Sequence, residues 1–356
     1  MTPEEERALL EAAAGRLLAW YPAVRRALPW RASPTPYEVW ISEIMLQQTR
    51  IEAVIPYYAR FLAELPTIAA LAAVPEERLL KLWEGLGYYS RARNLKKAAL
   101  VVTEQYGGNL PREAALLRKL PGIGDYTAGA IASIACGEPE PAVDGNVLRV
   151  VMRLTACAED VLSQKTKKRV TEALRQVYPR GEAAGLLTEG LMELGETICL
   201  PSGEPRCERC PLRGLCLAQL SGRTADFPVR SPKKERRVEE KTVLLLRCGG
   251  RYALRRREGE GLLAGLWELP NRPGRLDESA VRAALEAQGL SPAKISECGE
   301  SRHIFTHIEW HMTGYIADIY TESGEFVWKT PAEIRAGYAI PTAFKAYLKL
   351  LHGSAP

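Results

Sequence analysis

Four cysteines, Cys199, Cys207, Cys210 and Cys216, fall within eighteen residues as a C-x7-C-x2-C-x5-C array. The chain opens Met1-Thr2-Pro3-Glu4-Glu5-Glu6, without the basic-then-apolar pattern of a secretory signal, so a cytoplasmic location with reduced thiols is expected. Clustered reduced cysteines read as metal ligands rather than as a disulfide pair. A four-thiolate set suits structural zinc or a cubane iron–sulfur cluster. Four-cysteine zinc sites usually use two close C-x2-C pairs, and here Cys207–Cys210 alone is such a pair. The uneven spacing favours a [4Fe–4S] cluster.

Two carboxylates also stand out. Glu43 is surrounded at helical offsets by Val39, Trp40, Ile44 and Leu46, and Ser33-Pro34-Thr35-Pro36 can start that helix. A carboxyl there either loses hydration, rises in pKa and serves as a general acid, or lies on the solvated face of an amphipathic helix. The residues alone leave both readings open. Asp144, in Val143-Asp144-Gly145-Asn146-Val147, precedes an apolar helix. Its ordinary role is an N-cap, and a helix N-terminus would also keep it ionised.

The elements that must position these groups follow from the pattern. A chain of 356 residues suits two domains, and no apolar run approaches a membrane span. The net charge of +5 proves no partner by itself. Its distribution is more telling: Lys165, Lys167, Lys168 and Arg169 cluster, and Arg206, Arg209 and Arg213 punctuate the cysteine array, where they would suit phosphate contacts. Residues 1 to about 220 read as almost entirely helical, from recurring i/i+3/i+4 apolar positions broken by Pro and Gly. Residues 221–240 are polar, charged and proline-bearing, hence a linker. Beyond them, the runs from Thr242, Arg251 and His311 read as strands and Ser279 to Gln288 as a helix, giving an α+β domain over 241–356. His303, His307 and His311, spaced by four, read as polar surface rather than a metal site.

In Leu120-Pro121-Gly122-Ile123-Gly124-Asp125-Tyr126-Thr127-Ala128, two glycines let the chain turn tightly between helices and present bare N–H groups to a phosphate. A small-residue helix, Thr127 to Cys136, follows. With Leu28-Pro29-Trp30-Arg31, Trp40 to Thr49, Gly85 to Leu95 and Val143 to Asn146, this hairpin resembles the helix-hairpin-helix DNA glycosylase superfamily. Within it, the resemblance is to the MutY-type adenine DNA glycosylases. It covers nearly the whole chain, with specific motifs up to Cys216 and looser ones after. One departure is that the family usually has six residues between the first two cysteines, and this chain has seven. The extra residue lengthens a loop and removes no ligand.

The resemblance implies an all-α catalytic domain over residues 1–220 carrying a [4Fe–4S] loop, and a Nudix-like lesion-recognition domain over 241–356. It implies hydrolysis of the N-glycosidic bond of adenine mispaired with 8-oxoguanine or guanine in duplex DNA, by a monomer of the bacterial cytoplasm acting at the nucleoid. One neutral and one charged carboxyl are what such cleavage requires. Glu43 would protonate the departing base and Asp144 stabilise the oxocarbenium-like sugar, or bond to it transiently, with Asn146 and Tyr126 positioning Asp144 and the sugar. Bifunctional relatives such as endonuclease III carry a nucleophilic lysine where Tyr126 stands, so strong strand cleavage is not expected here.

A base must leave the duplex to be cut. Gln48 and Tyr88 resemble the family's intercalating residues, Thr49 and Leu86 its contacts to the partner base, and Trp30, Arg31, Ile51 and Glu189 its adenine pocket. The run from Gly261 to Pro270 resembles the start of a Nudix fold, yet the helix from Ser279 lacks the paired glutamates that hold magnesium. This domain should bind rather than hydrolyse. Phe305-Thr306-His307 resembles the family's F-S-H loop for 8-oxoguanine, with Thr where Ser is usual. A glycosylase for damaged pyrimidines or thymine mismatches is disfavoured by Glu43, Tyr126 and the appended domain. A non-catalytic DNA-binding module with a redox-active cluster would tolerate loss of Glu43 and Asp144.

Overall fold

The computed structural model describes residues 1–32, 34–232, 235–259 and 261–352. The chain forms two compact units, Met1–Ala73 with Asn94–Pro232 and Val74–Arg93 with Lys233–Pro356. In chain order the helices are α1 (Pro3–Val24), α2 (Pro36–Leu46), α3 (Ile51–Glu64), α4 (Ile68–Ala73) and α5 (Glu76–Leu82). Then come α6 (Ser90–Gln105), α7 (Ala114–Leu117), α8 (Asp125–Ala130), α9 (Gly145–Leu154) and α10 (Gln164–Arg175). The last are α11 (Glu182–Thr197), α12 (Leu217–Leu220), α13 (Glu278–Glu286), α14 (Pro331–Gly337) and α15 (Lys345–Leu348).

In the helical unit, Thr35 starts α2 with a capping box. Its hydroxyl accepts the Glu38 N–H at 3.2 Å, and Glu38 Oε2 accepts the Thr35 N–H at 2.9 Å, with Pro36 at the first helical position. Ser33, also expected at this start, lies outside the described residues. From Tyr37 to Met45, every side chain of α2 except the half-buried Glu38 is buried. Glu43 therefore has no solvated face. Leu10 and Leu17 of α1, Val147, Val151 and Leu154 of α9, and Leu187, Leu191 and Leu194 of α11 meet in one core beside α2's site.

The hairpin turns at Gly122, whose φ of 77° favours glycine and whose Cβ would come 2.6 Å from Asn94 Cβ. Gly124 is different: its backbone is ordinary, φ −90°, and a Cβ would meet open space. The helix after it begins at Asp125 and widens into a π turn over Ile131–Ala135, where a uniform helix from Thr127 to Cys136 is expected.

The second unit is built on a sheet of β1 (Arg237–Cys248), β2 (Arg251–Arg256), β3 (Trp267–Glu268), β4 (Asn271–Pro273), β5 (Pro292–Ile304), β6 (Ile308–Ile319) and β7 (Val327–Lys329). The order is β3-β2-β1-β6-β5, with β4 added on β1 and β7 on β2. β1 and β6 run parallel; β5 and β6 form an antiparallel hairpin around Phe305–His307. The apolar run of β1 splits by period two: Val243 and Leu245 enter a core with Trp310, Phe344 and Tyr347, while Leu244 and Leu246 enter another with Val281, Leu285 and Trp328. The sheet is thus covered on both faces. Residues 221–240, expected as a linker, contain a 3-10 turn at Thr224–Asp226 and the first residues of β1.

Gly122→Ala should lower the unfolding free energy by about 1–3 kcal/mol, because it adds both a disfavoured φ and an overlap, and Gly124→Ala should lower it less. Denaturant melts of the two variants would measure the difference.

Candidate active site

One cavity of about 1010 Å³ in the helical unit is lined by Trp30, Arg31, Glu43, Gln48, Thr49, Ile51, Tyr126, Asp144, Asn146 and Glu189. α2 delivers Glu43 into it with 6% of its surface exposed. Burial dominates there and raises the Glu43 carboxyl to about 7. A hydrogen bond from Tyr126 and the Arg31 charge pull it down, while Asp144 and Glu189 push it up. The Tyr126 hydroxyl donates to Glu43 Oε2 and lies 3.9 Å from Met192 Sδ. Burial and the adjacent carboxylates hold that phenol well above its ordinary pKa, so it stays a donor. The expectation for Tyr126 is that it positions Asp144 and the sugar; the carboxyl its hydroxyl bonds here is that of Glu43.

Asp144 caps α9. Its Oδ1 accepts the Val147 N–H at 2.8 Å and its Oδ2 accepts Asn146 Nδ2 at 2.9 Å. Burial raises this carboxyl, against the capping bonds, Asn146 and Arg149. Burial thus outweighs the helix N-terminus that was expected to hold it down. Both oxygens nonetheless carry donors, an arrangement that the anion satisfies best. Arg149 Nη2 fixes Asn146 by donating to Asn146 Oδ1 and to the Gly195 carbonyl, both at 2.8 Å. A Cβ on Gly195 would stand 2.6 Å from Asn146 Cβ, so α11 approaches α9 this closely only as glycine. Two carboxyls with different hydrogen-bond environments therefore face one cavity, the arrangement needed for acid and electrostatic roles in cleaving a glycosidic bond.

The cavity's far wall is a buried ion network. Arg31, at 9% exposure, bonds Glu193 Oε2 at 2.8 Å and reaches Glu189 Oε1 at 3.5 Å. Tyr21 donates to Glu189 at 2.9 Å, and Arg26 bonds Glu193 and Glu196. Trp30 stands edge-on to Tyr58 with ring centres 5.4 Å apart. Gln48 is exposed and holds a left-handed backbone, φ 59°, a conformation that a non-glycine residue keeps when its surroundings impose it.

Residues 41–180 match the model of the HhH-GPD superfamily of base excision DNA repair proteins, and residues 242–350 match that of the NUDIX domain. The human protein named adenine DNA glycosylase is 34% identical over 410 residues, spanning 96% of this chain and 74% of the relative. The chain belongs to the adenine DNA glycosylase family. Among solved structures, a thermostable thymine-DNA glycosylase matches with a TM-score of 0.54 and 29% identity, over 61% of this chain and 98% of that one. Endonuclease III trapped on DNA matches with a TM-score of 0.51 and 28% identity, over 62% and 99%. This family is one of DNA glycosylases, and its catalytic half has the endonuclease III-like fold.

In this family member the remaining expected residues fall into three places. Gly122 and Gly124 lie on the hairpin beneath α8, outside the cavity lining. Leu86, Tyr88, Phe305, Thr306 and His307 all belong to the second unit. There Leu86 is buried, Tyr88 is 45% exposed, and their hydroxyl-bearing neighbours meet: Tyr88 Oη and Thr306 Oγ1 share a hydrogen bond of 2.9 Å. Phe305 packs edge-on against Trp310 at 4.8 Å and His303 at 4.6 Å, while Thr306 and His307 are exposed. Of the three histidines, His311 bonds Glu309 at 2.8 Å.

Cys199, Cys207, Cys210 and Cys216 line a second cavity in the helical unit, walled by Val150, Leu154, Leu194, Ile198 and Leu212. None forms a disulfide. Arg153 Nη1 donates to Cys199 Sγ at 3.3 Å, and burial pushes the Cys210 thiol up to about 12. Among the described residues no three His, Cys, Asp or Glu side chains close on a single ion. Half-buried cysteines around an apolar cavity beside a guanidinium suit a polynuclear group that brings its own charge.

Met192, Glu193, Arg149 and Gly195 were missed by sequence reasoning. Glu189 and Glu193 are four residues apart on one face of α11, which also buries Leu187, Leu191 and Leu194, and that spacing was the available signal.

The raised Glu43 carboxyl has a thermodynamic consequence. Its folded pKa exceeds the unfolded value, so the stability it contributes is full below the unfolded value of 4.5 and is lost as pH rises through about 7. Glu43→Gln, which cannot ionise, should therefore gain stability relative to the native chain between those limits. Paired denaturant melts at stepped pH would show parallel curves if Glu43 titrates normally.

Proposed function

We propose that the protein hydrolyses the N-glycosidic bond of adenine mispaired with 8-oxoguanine or guanine in duplex DNA, as a monofunctional glycosylase. The observation that carries this is the buried Glu43, raised to about 7 and bonded to Tyr126, in one cavity with the doubly bonded Asp144. Its relatives bear the name adenine DNA glycosylase, which directs the choice of base.

The adenine is flipped into the cavity, where Trp30, Arg31, Ile51 and Glu189 receive it while Gln48 and Tyr88 fill the gap in the stack. Glu43 gives its proton to the base as the C1′–N bond breaks. Asp144, held by Asn146 and Val147, stabilises the cationic sugar or bonds to it transiently. Water then adds its hydroxyl to C1′ and returns a proton to Glu43. The hairpin offers a tyrosine in place of an amine nucleophile, so the product keeps an unbroken strand. Gly122 and Gly124 present main-chain N–H groups to a phosphate, and Thr49, Leu86, Phe305, Thr306 and His307 read the partner base. Thr306 retains the hydroxyl of serine with a stiffer χ1.

Cys199, Cys207, Cys210 and Cys216 would hold a [4Fe–4S] cluster. When bound, it would order the basic loop carrying Arg206, Arg209 and Arg213 toward the DNA phosphates. A structural zinc ion is disfavoured by the uneven C-x7-C-x2-C-x5-C spacing, which holds one close pair where zinc sites usually have two.

Glu43→Gln should lower single-turnover adenine excision by about 10²–10⁴-fold while duplex binding persists. A rate near that of the native chain would remove Glu43 from the chemistry. Independently, protein purified without oxygen should be brown and contain iron and inorganic sulfide; one zinc and no iron on elemental analysis would refute the cluster.

A further inference from the structure

Val74–Arg93 belongs to the compact unit of the sheet, although the residues before and after it belong to the helical unit. The segment carries Leu86 and Tyr88. Tyr88 holds a left-handed backbone, φ 46°, which a tyrosine keeps only when its surroundings impose it. Its bond to Thr306 is a single contact between exposed hydroxyls, too weak to do this alone.

The stronger hold lies just upstream. α14 ends at Gly337, where the Tyr338 N–H still donates to Ile334 O at 3.1 Å and the helix end favours a cation. Lys81 supplies the cation: its Nζ donates to Tyr338 O at 3.1 Å and reaches Ile334 O at 3.5 Å. Glu84 does the converse. Its Oε1 accepts the Ile340 N–H at 2.9 Å and its Oε2 bonds Lys81 Nζ at 2.6 Å. Lys81 is 14% and Glu84 28% exposed, so the pair is shielded enough to count for more than a surface ion pair. The turn that follows is tied internally, with Trp83 Nε1 donating to Gly87 O at 3.0 Å and Arg91 Nη2 to Leu86 O at 3.0 Å. A displacement at Glu84 would thus be carried to Tyr88.

We propose that Lys81 and Glu84 are positioning residues for discrimination of the partner base, clamping the Leu86–Tyr88 turn to the main chain of residues 334–340 so that it acts as one piece with the Phe305–His307 turn. Neither residue touches the reacting atoms. The proposal rests on the reading of Leu86 and Thr306 as contacts to the partner base and of Tyr88 as the residue that fills the stack beside it.

The test uses the full chain with Glu84→Ala and Glu84→Gln, the second of which keeps an acceptor for Ile340. Glu84→Ala should speed amide hydrogen exchange over residues 84–90 in the free protein. It should also narrow the A:8-oxoG to A:G ratio of single-turnover excision rates by about tenfold, the worth of one shielded hydrogen bond, with the A:G rate unchanged. Glu84→Gln should restore most of both. Unchanged exchange over 84–90, an equal loss on both duplexes, or no rescue by glutamine would overturn the proposal. If Glu84→Ala does not fold, Lys81→Gln goes through the same measurements with the same expectations. A native chain that excises adenine from neither duplex would sink the proposed function, and the exchange data would still decide the clamp.

Discussion

A carboxyl group enclosed by apolar helices resists ionisation, and the helical unit is arranged around that resistance. α2 is buried from Tyr37 to Met45 apart from Glu38, so Glu43 cannot reach water by a small rotation of its helix. Every neighbour of Glu43 then matters electrically. Tyr126 offers it one donor, whereas Asp144 receives a donor on each oxygen. The two acids differ in hydrogen-bond supply more than in burial. That difference is built by the helix packing: Gly195 lets α11 come close enough for its carbonyl to seat Arg149, which seats Asn146, which holds Asp144.

Charge is handled differently on the far wall. Glu189, Glu193 and Arg31 are close and buried enough that removing Arg31 would strand the two carboxylates, while Arg26 closes the network from its half-exposed edge. Such a network is a poor source of stability, but it fixes the orientation of a guanidinium and a carboxylate toward the cavity. Groups whose directions are set in advance cost less to order when something polar enters the cavity.

Much of this was legible in the residue order. Thr35 and Glu38 announce the start of α2 by their types and spacing, because a capping box is a local device. The four cysteines gather because they are near in sequence, and Gly122 marks its turn through a local backbone need. What escaped is non-local. β5 reads as a polar stretch because it is an edge strand, pairing with β6 alone and interrupted by register shifts near Pro292 and Glu297, so few of its side chains are buried. The bond from Tyr126 to Glu43 spans residues 83 apart in sequence, and no spacing rule links them. The allegiance of Val74–Arg93 is also hidden, since its helical pattern matches that of the residues around it.

That allegiance bears on how the protein is made. The sheet unit is discontinuous: one of its parts lies before residue 94, and the rest begins after residue 232. During synthesis the early piece leaves the ribosome before these partners exist, and Ile340, whose N–H Glu84 accepts, follows it by 256 residues. Domains ordinarily finish in the order in which they are translated, but this one cannot close until the chain beyond residue 340 is available. A stop codon between residues 233 and 331 would therefore remove more than the residues downstream of it. It would leave a segment inside the N-terminal half waiting for a surface that never arrives.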